Sequence, residues 1–327
     1  MNKPAWFCLS LLFLCSALFS CGQRKAMTTQ LLGTFCTVNL YEDGSDRLYQ
    51  LVFERLDEID SEFNLNNPDS ELNKINNAAG VSEVQVGDDL ALVLETALYY
   101  AQKSDGTFDP TIGPIVRLWG INTPDAKVPS QDEIENALSL VDWKKVQLKK
   151  SNGKTTVFLE QPGMILDLGG IAKGFAADQL CSILKEKKVR RALIDLGGNI
   201  LVWGSKKDGA PWKVGIKNPC DQTLEPPVVL KVRGGMSVVT SGLYERYFEQ
   251  DGNIYHHILN PKTGYPVQNG ILSSTVVSPS SMTADALSTT SFLLGPEEFA
   301  KKFDEAVVLI KSDMTVQASP TLEYDLD

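Results

Sequence analysis

The sequence has few of the residues on which common catalytic sites depend. It contains only two histidines, His256 and His257, among 327 residues. It has no G-x-S-x-G segment of the kind that carries the nucleophile of many serine hydrolases. Its glycine-rich segments also depart from the G-x-x-x-x-G-K-[ST] pattern of a P-loop. A Ser-His-Asp hydrolase is therefore not indicated, and any imidazole chemistry must come from one adjacent pair, for which a purely structural role is the alternative.

Cysteine is also scarce. Three of the six cysteines fall in or directly after an N-terminal apolar segment, and the remaining three are Cys36, Cys181 and Cys220. No C-x-x-C pair is present, so these residues form neither a disulfide framework nor a zinc site. One disulfide bridge is conceivable, but we expect three buried or half-buried thiols.

Positive charge is scarce as well, since the formal net charge is −10. Binding a polyanion needs a basic face, so this balance argues against a nucleic-acid partner. An anionic ligand would need a local cation in so acidic a chain.

The longest apolar run lies at the N-terminus, where Lys3 precedes an apolar stretch from Ala5 to Phe19. This pattern predicts a signal peptide over residues 1–20 and not a spanning helix. The segment Leu18-Phe19-Ser20-Cys21 resembles a bacterial lipobox, although Phe19 is bulkier than the usual residue. We therefore expect a lipid anchor on Cys21, with ordinary secretion or an uncleaved anchor as the alternative.

The remaining residues, 21–327, are not divided by a low-complexity linker, and their patterns predict one large α+β unit. Helices are predicted at 47–62, 88–104, 130–141, 171–188 and 281–294, with a short one capped by Asp69 or Ser70. Strands are predicted at 31–41, 144–149, 155–160, 189–195, 200–204, 212–217, 228–233, 236–240 and 254–259. The segment 105–120, DGTFDPTIGPIVRLWG, reads as an ordered loop or a broken helix.

Two copies of DLGG, at 167–170 and 195–198, each close an apolar run, so their loops are expected to be neighbours. In the first copy, Gly169 and Gly170 allow close approach of a ligand to the backbone, and a helix N-terminus follows them. Lys173 adds a positive charge. The motif is typical of anion binding, and a glycine-rich turn with a solvated lysine is the alternative.

In the helix at 281–294, the oxygen-bearing side chains of Asp285, Ser288 and Thr289 share one face. Such a face suits a hard cation such as Mg²⁺, which takes few protein oxygens. The alternative is that Asp285 only supports the first turn of the helix and Thr289 is packed.

Seven segments in this order resemble the ApbE family of FAD:protein FMN transferases, and the resemblance spans nearly all of residues 21–327. They are LLGTFCTVNLY, DGTFDPTIGPIVRLWG, DLGGIAKGFAAD, LIDLGGN, TSGLYERYF, HHILNPKTGYP and TADALSTTSFLLG. The resemblance implies an α+β, Mg²⁺-dependent protein of the bacterial cell envelope, facing the periplasm and here anchored through Cys21. It implies an enzyme that splits FAD and joins FMN through a phosphoester to a threonine of a target protein, releasing AMP.

The resemblance also implies roles for individual residues. Asp285, Thr289 and the backbone carbonyl of Gly170 match metal-ligand positions. FAD contacts are implied for Leu32, Thr107, Phe108, Asp109, Asp167, Lys173, His257 and Ile258. Asp285 and His257 are the candidates to accept the proton of the attacking hydroxyl.

Two positions depart from the family pattern. Leu32 replaces the usual Met before the first Gly-Thr, with a similar apolar volume, so a flavin-packing role is retained. Asn260 replaces the Asp of H-x-I-x-D-P, and we interpret it as a turn residue before Pro261.

Targets implied by the resemblance carry a Ser/Thr-Gly-Ala-Thr site, as in subunits of sodium-pumping quinone reductase or Rnf complexes. Two other functions fit the same motifs. One is an FAD pyrophosphatase that releases FMN and AMP, and the other is a flavin-binding lipoprotein without turnover. A metal at the scissile phosphates has no use in storage, which favours an enzyme.

Overall fold

The computed structural model describes residues 25–326; the predicted signal peptide and Cys21 lie outside the described residues. Its largest sheet has eight strands in the order β1-β2-β6-β7-β10-β13-β14-β15, and every neighbouring pair is antiparallel. These strands are β1 (Met27–Leu31), β2 (Thr34–Asn39), β6 (Ala192–Leu196), β7 (Asn199–Trp203), β10 (Met236–Gly242), β13 (Ile271–Ser278), β14 (Ala306–Lys311) and β15 (Val316–Ala318).

The remaining strands form three smaller antiparallel units. One sheet is β3-β5-β4, another is β16-β9-β8, and β11 pairs with β12. Their bounds are β3 (Val84–Val86), β4 (Val146–Ser151), β5 (Lys154–Leu159), β8 (Trp212–Ile216), β9 (Val228–Val232), β11 (Tyr247–Gln250), β12 (Asn253–His256) and β16 (Glu323–Leu326).

Eight α-helices accompany these strands within residues 25–326. They are α1 (Asp46–Phe63), α2 (Glu71–Asn77), α3 (Asp88–Lys103), α4 (Gly113–Trp119), α5 (Gln131–Leu138), α6 (Ala172–Glu186), α7 (Ser281–Leu294) and α8 (Pro296–Lys302). The predicted α+β class is confirmed. In the described part of the chain, no helix combines the length and apolar character needed to cross a membrane.

Local sequence explains where several helices begin. Ser70 and Ser130 accept hydrogen bonds from backbone N–H groups in the first turns of α2 and α5, and Glu133 completes a capping box. Asp69 is therefore not the cap of α2. In α1, the fully buried residues recur at helical spacing, so one face enters the main core.

Two helices, α6 and α7, lie in direct contact and carry Lys173, Asp285 and Thr289 of the predicted site. A Cβ added at Gly174 of α6 would stand 2.4 Å from the backbone oxygen of Ser281 and 2.6 Å from the Cα of Met282. Only glycine fits there, because both neighbours are backbone atoms of α7. The absence of a side chain thus sets how closely the helices approach.

The prediction of one continuous strand over 31–41 is wrong. The chain forms a hairpin instead, and it turns at Leu32 (φ +54°) and Gly33 (φ +66°) between β1 and β2. A leucine rarely adopts positive φ, so composition alone indicated an uninterrupted strand. The turn points to a tertiary constraint that overrides local preference.

The cysteine expectation is partly wrong. Cys36 is buried and Cys181 is half-buried, as expected, but Cys220 is exposed. All three are free thiols. Burial raises the pKa of Cys36 to about 11 and that of Cys181 to about 12, so both stay protonated at neutral pH.

Candidate active site

A cavity of about 410 Å³ opens where the hairpin, both DLGG loops and α7 meet. The β1–β2 hairpin contributes Gly33, Thr34 and Phe35, and the first DLGG loop contributes Gly169 and Gly170. Gly197 of the second copy lines the same cavity, which confirms that the two loops are neighbours. Other predicted residues on its wall are Thr107, Phe108, Asp109, Asp167, Lys173, His257, Ile258, Asp285 and Thr289.

The first DLGG loop is shaped by its own aspartate. The carboxylate of Asp167 accepts a hydrogen bond of 2.7 Å from the backbone N–H of Gly169, and its backbone N–H donates to the carbonyl of Pro110 at 2.8 Å. Burial raises the pKa of Asp167, while the charges of Arg246 and Lys173 act in the opposite direction. Asp167 therefore holds the loop as well as lining the cavity.

Lys173 extends from the first turn of α6 across this loop. Its Nζ donates to the carbonyl oxygen of Gly169 at 3.0 Å and lies 3.5 Å from Oδ1 of Asp285. Lys173 and Arg246 are the two basic residues on the cavity wall. They supply the local cations that an acidic chain needs for a phosphate ligand.

Asp285 is held between α6 and α7. Its Oδ2 accepts a hydrogen bond of 2.8 Å from the backbone N–H of Gly174, and only 5% of its side chain is exposed. One turn later, the hydroxyl of Thr289 lies 3.1 Å from the hydroxyl of Ser241 in β10. Both side chains therefore reach the cavity from fixed positions on one helix face.

The residues present fit Mg²⁺. A Cβ added at Gly170 would stand 3.7 Å from Oγ1 of Thr289 and 3.2 Å from the ring of Phe108, so glycine lets the loop approach α7. A carboxylate, a hydroxyl and a backbone carbonyl are the hard oxygen donors that Mg²⁺ accepts. Across residues 25–326, no cluster of three or more His, Cys, Asp and Glu side chains could hold a metal, and this donor set needs only one carboxylate.

Asp178 lies outside the cavity wall but positions the helix that carries Asp285, and the sequence patterns did not indicate this role. From α6, its carboxylate accepts hydrogen bonds from the hydroxyl of Ser280 at 2.9 Å and from the backbone N–H groups of Ser281 and Met282 at 2.7 and 3.0 Å. It therefore caps the N-terminus of α7, with the favourable charge for that end of a helix. In the sequence, the only indication of this role is that Asp178 is the last residue of the segment DLGGIAKGFAAD.

Asp109 serves mainly to fold the DGTFD loop. Its Oδ1 accepts from both the backbone N–H and the hydroxyl of Thr111, at 2.8 and 2.6 Å, and its Oδ2 accepts from the N–H of Trp143 at 3.2 Å. Phe108 is anchored by a 3.0 Å bond from its N–H to the hydroxyl of Ser104. The loop therefore presents a fixed aromatic wall beside Gly170.

The two histidines face different surroundings. His256 is buried, with Nε2 2.9 Å from the carbonyl of Val267, whereas His257 is half-buried on the cavity wall. Enclosure by the protein, followed by the charge of Arg246, lowers the pKa of His257 to about 3. Its Nδ1 lies 3.2 Å from the carbonyl of Arg246, which makes Nδ1 the protonated nitrogen and leaves Nε2 as an acceptor.

Comparison with known proteins matches the chain to one family. The family model of ApbE covers residues 32–309. The chain belongs to the ApbE family. It is 39% identical over 299 residues to a FAD:protein FMN transferase of Treponema pallidum, covering 85% of this chain and 82% of the relative. A FAD:protein FMN transferase of Klebsiella pneumoniae is 38% identical over 268 residues, with 82% of each chain covered.

Solved structures of ApbE proteins have the same fold. An ApbE protein of Thermotoga maritima superposes with a TM-score of 0.80 at 30% identity, covering 91% of this chain and 97% of its own. The flavin transferase ApbE of Vibrio cholerae gives a TM-score of 0.80 at 27% identity, with the same coverage of both chains. The family assignment therefore holds in both sequence and three dimensions.

Among the ApbE positions named from sequence, Leu32 is the one that the structure separates from the site. Its turn lies next to the cavity, but its side chain packs against the main core and is absent from the cavity wall. Phe35, which is 69% exposed, lines the cavity instead. The hairpin turn reversed the chain direction at Leu32, and this reversal was not visible in the sequence.

Asn260 is a turn residue, as interpreted. Its side-chain oxygen accepts a hydrogen bond of 2.8 Å from the backbone N–H of Lys262, and its carbonyl accepts from Gly264 at 2.8 Å. The loss of a charge relative to the ApbE pattern therefore leaves this turn intact. The TSGLYERYF segment also contributes Glu245 and Arg246 to the cavity, although only its resemblance to the family had been noted.

Proposed function

We propose that this protein is an Mg²⁺-dependent FAD:protein FMN transferase that attaches FMN through a phosphoester bond to a threonine of a target protein and releases AMP. The observation that carries the proposal is the convergence of the loop, lysine, aspartate and threonine of separate motifs on one cavity. Relatives that are 38–39% identical bear the name of this activity.

The pyrophosphate of FAD would lie at the DLGG loop. Gly169 and Gly170 bring backbone close to the ligand, the first turn of α6 offers its positive end, and Lys173 and Arg246 supply charge. Asp285, Thr289 and the carbonyl of Gly170 would hold Mg²⁺. When bound, the ion neutralises negative charge on the phosphates.

In the transfer step, the threonine oxygen of the target attacks the FMN-side phosphorus. The bond from that phosphorus to the bridging oxygen breaks, and its electron pair leaves with AMP. The hydroxyl proton must go to a base. The two candidates on the cavity wall are Asp285, which is bonded to Gly174 and would be a metal ligand, and His257, whose Nε2 is unprotonated and whose pKa is depressed by enclosure.

The partners and location follow from the same proposal. Targets would carry a Ser/Thr-Gly-Ala-Thr site, as in subunits of sodium-pumping quinone reductase or Rnf complexes. A lipid on Cys21 would hold the domain on the periplasmic side of the bacterial envelope, and it lies before the first described strand, β1 (Met27–Leu31).

The test is direct. The protein without its first 21 residues is incubated with FAD, Mg²⁺ and a target bearing the Ser/Thr-Gly-Ala-Thr site, and in-gel flavin fluorescence and AMP are measured. We expect fluorescence on the target and an equal amount of AMP, both lost when the acceptor threonine is alanine. Free FMN and AMP at the same rate with either target would establish a pyrophosphatase, and binding without AMP would establish a flavin carrier.

A further inference from the structure

Lys173 forms an ion pair with Asp285, the residue whose carboxylate the proposed metal would need. Its ammonium lies 3.5 Å from Oδ1 of Asp285, while that side chain is only 5% exposed and Lys173 is 22% exposed. The carboxylate of Asp285 accepts no other side-chain donor among the described residues. An internal cation thus neutralises a nearly buried anion.

We propose that Lys173 is an exchangeable cation. It holds Asp285 in the free protein and transfers to the pyrophosphate when FAD binds, so FAD and Mg²⁺ bind cooperatively. This inference rests on the proposed function, because it takes Asp285 as a metal ligand and the DLGG loop as the pyrophosphate site.

The short distances around Asp285 explain why exchange is required. A dication on Asp285 would stand close to the ammonium of Lys173, and like charges a few ångströms apart in a partly buried site repel strongly. The pyrophosphate brings two negative charges, which accommodate both cations. Metal binding before FAD is therefore weakened by Lys173, and metal binding after FAD is not.

The local geometry allows the exchange without movement of the helix. The backbone of α6 is fixed next to Lys173, because the N–H of Gly174 donates to Oδ2 of Asp285 at 2.8 Å. The four-carbon stem of a lysine is flexible, so the ammonium can leave Asp285 and the carbonyl of Gly169 while its Cα stays in place. Both present partners and the proposed phosphate site lie on one cavity wall.

Thermodynamic linkage makes the proposal quantitative. If FAD raises the affinity for the metal by some factor, the metal raises the affinity for FAD by the same factor. Removing the charge of Lys173 should raise metal affinity in the absence of FAD by about tenfold, because the ammonium 3.5 Å from Oδ1 of Asp285 no longer competes with the metal for that carboxylate. The same change should reduce the cooperativity.

The experiment measures Mn²⁺ binding to the FAD-free protein by electron paramagnetic resonance, in wild type, Lys173→Met, Lys173→Arg and Arg246→Met. We expect Lys173→Met to bind Mn²⁺ about tenfold more tightly and Lys173→Arg to behave as wild type. Arg246→Met is the matched control, because it removes a cavity charge whose guanidinium lies 3.4 Å from the carbonyl of Gly33 and makes no ion pair with Asp285.

A second measurement follows FAD binding by stopped-flow flavin fluorescence, with EDTA or Mg²⁺ and no target. Mg²⁺ should strengthen FAD binding in wild type and do so less in Lys173→Met. Equal or weaker Mn²⁺ binding by Lys173→Met, or an equal gain in Arg246→Met, overturns the exchange. Asp285→Ala separates the two proposals: if it leaves Mn²⁺ binding unchanged, the metal site itself is refuted.

Discussion

Replacing Gly174 by alanine tests whether the contact of α6 with α7 builds the site. The added Cβ would stand 2.4 Å from the backbone oxygen of Ser281 and 2.6 Å from the Cα of Met282. Real Cβ atoms do not approach backbone this closely, so the two helices must separate. Separation also weakens the 2.8 Å bond from the N–H of Gly174 to Asp285.

Both effects lower stability. Overpacking a tight contact costs about 1–3 kcal/mol, and loss of a hydrogen bond to a charged group costs about 1.5–3 kcal/mol when it is complete. Because relaxation of α7 relieves part of each, we expect the free energy of unfolding to fall by about 2–4 kcal/mol. At about 2–4 °C per kcal/mol, the midpoint of thermal unfolding should drop by roughly 5–15 °C.

The assay is thermal and urea unfolding followed by circular dichroism, together with Mn²⁺ binding at a temperature where both proteins are folded. Gly87→Ala is the control, because its new Cβ would lie no closer than 3.6 Å to a neighbour and its φ of −69° suits alanine. Gly87 is also the N-cap of α3, where alanine is a poorer cap than glycine, so this change should cost no more than about 1 kcal/mol. A Gly174→Ala protein that matches this control in stability and binds Mn²⁺ like wild type would refute the reasoning.

Four other outcomes are expected. Lys173→Ala should weaken FAD binding about ten- to a hundredfold and leave riboflavin binding unchanged in fluorescence titrations; equal losses would assign the lysine to the fold. Asp285→Ala should abolish Mg²⁺-dependent AMP release, and near-normal release would disprove the metal site. His257 has a pKa of about 3 when folded and 6.5 as the reference value, so protonation of the unfolded chain lowers stability as pH falls below 6.5. His257→Asn should therefore lose about 2 kcal/mol less than wild type between pH 7 and pH 5 in urea unfolding; an equal loss would contradict the low pKa. Cys21→Ser should move the protein from membranes to the soluble fraction with its activity intact, unless wild type itself carries no lipid.

Helices with strong local patterns could be predicted closely from sequence. The prediction of 281–294 coincides with α7, because Ser280 supplies a cap and Gly295-Pro296 supplies a stop. The prediction at 47–62 differs from α1 by one residue at each end, and the prediction at 88–104 differs from α3 by one residue at its C-terminal end, since each helix has a buried stripe at helical spacing. Where capping residues and hydrophobic periodicity indicate the same helix, tertiary contacts shift its ends by at most one residue.

Elements without such patterns were missed or misread. The segment after α7 contains α8, β14, β15 and β16, and the sequence patterns predict none of them. Before α7, β13 is also absent from the prediction despite its run of buried residues. Short edge strands such as β15, which has three residues, carry too little pattern to be distinguished from loops. The hairpin turn at Leu32 was missed for a similar reason, because leucine gives no local signal for positive φ and its side chain packs against the main core.

The residues of the candidate site could be identified from sequence motifs, but the contacts between those motifs could not. Asp285 and Gly174 are 111 residues apart in sequence and share one hydrogen bond, and Asp178 reaches 102 to 104 residues along the chain to cap α7. The motifs revealed which side chains carry oxygen and charge. Only the packing of α6 on α7 reveals that Lys173 already lies on Asp285.

That packing has a cause in the sequence of α6. Gly174 and Asp178 are four residues apart and therefore lie on one helix face, which meets the N-terminal turn of α7. Glycine allows the backbones to touch, and one turn later the aspartate binds the exposed N–H groups of Ser281 and Met282. An alanine at the first position or an uncharged residue at the second would loosen the same joint, and Asp285, four residues beyond Ser281, would shift with it. The segment AKGFAAD thus acts in two ways. Its lysine, Lys173, would bind the ligand, while Gly174 and Asp178 position the carboxylate of Asp285 that the proposed metal needs.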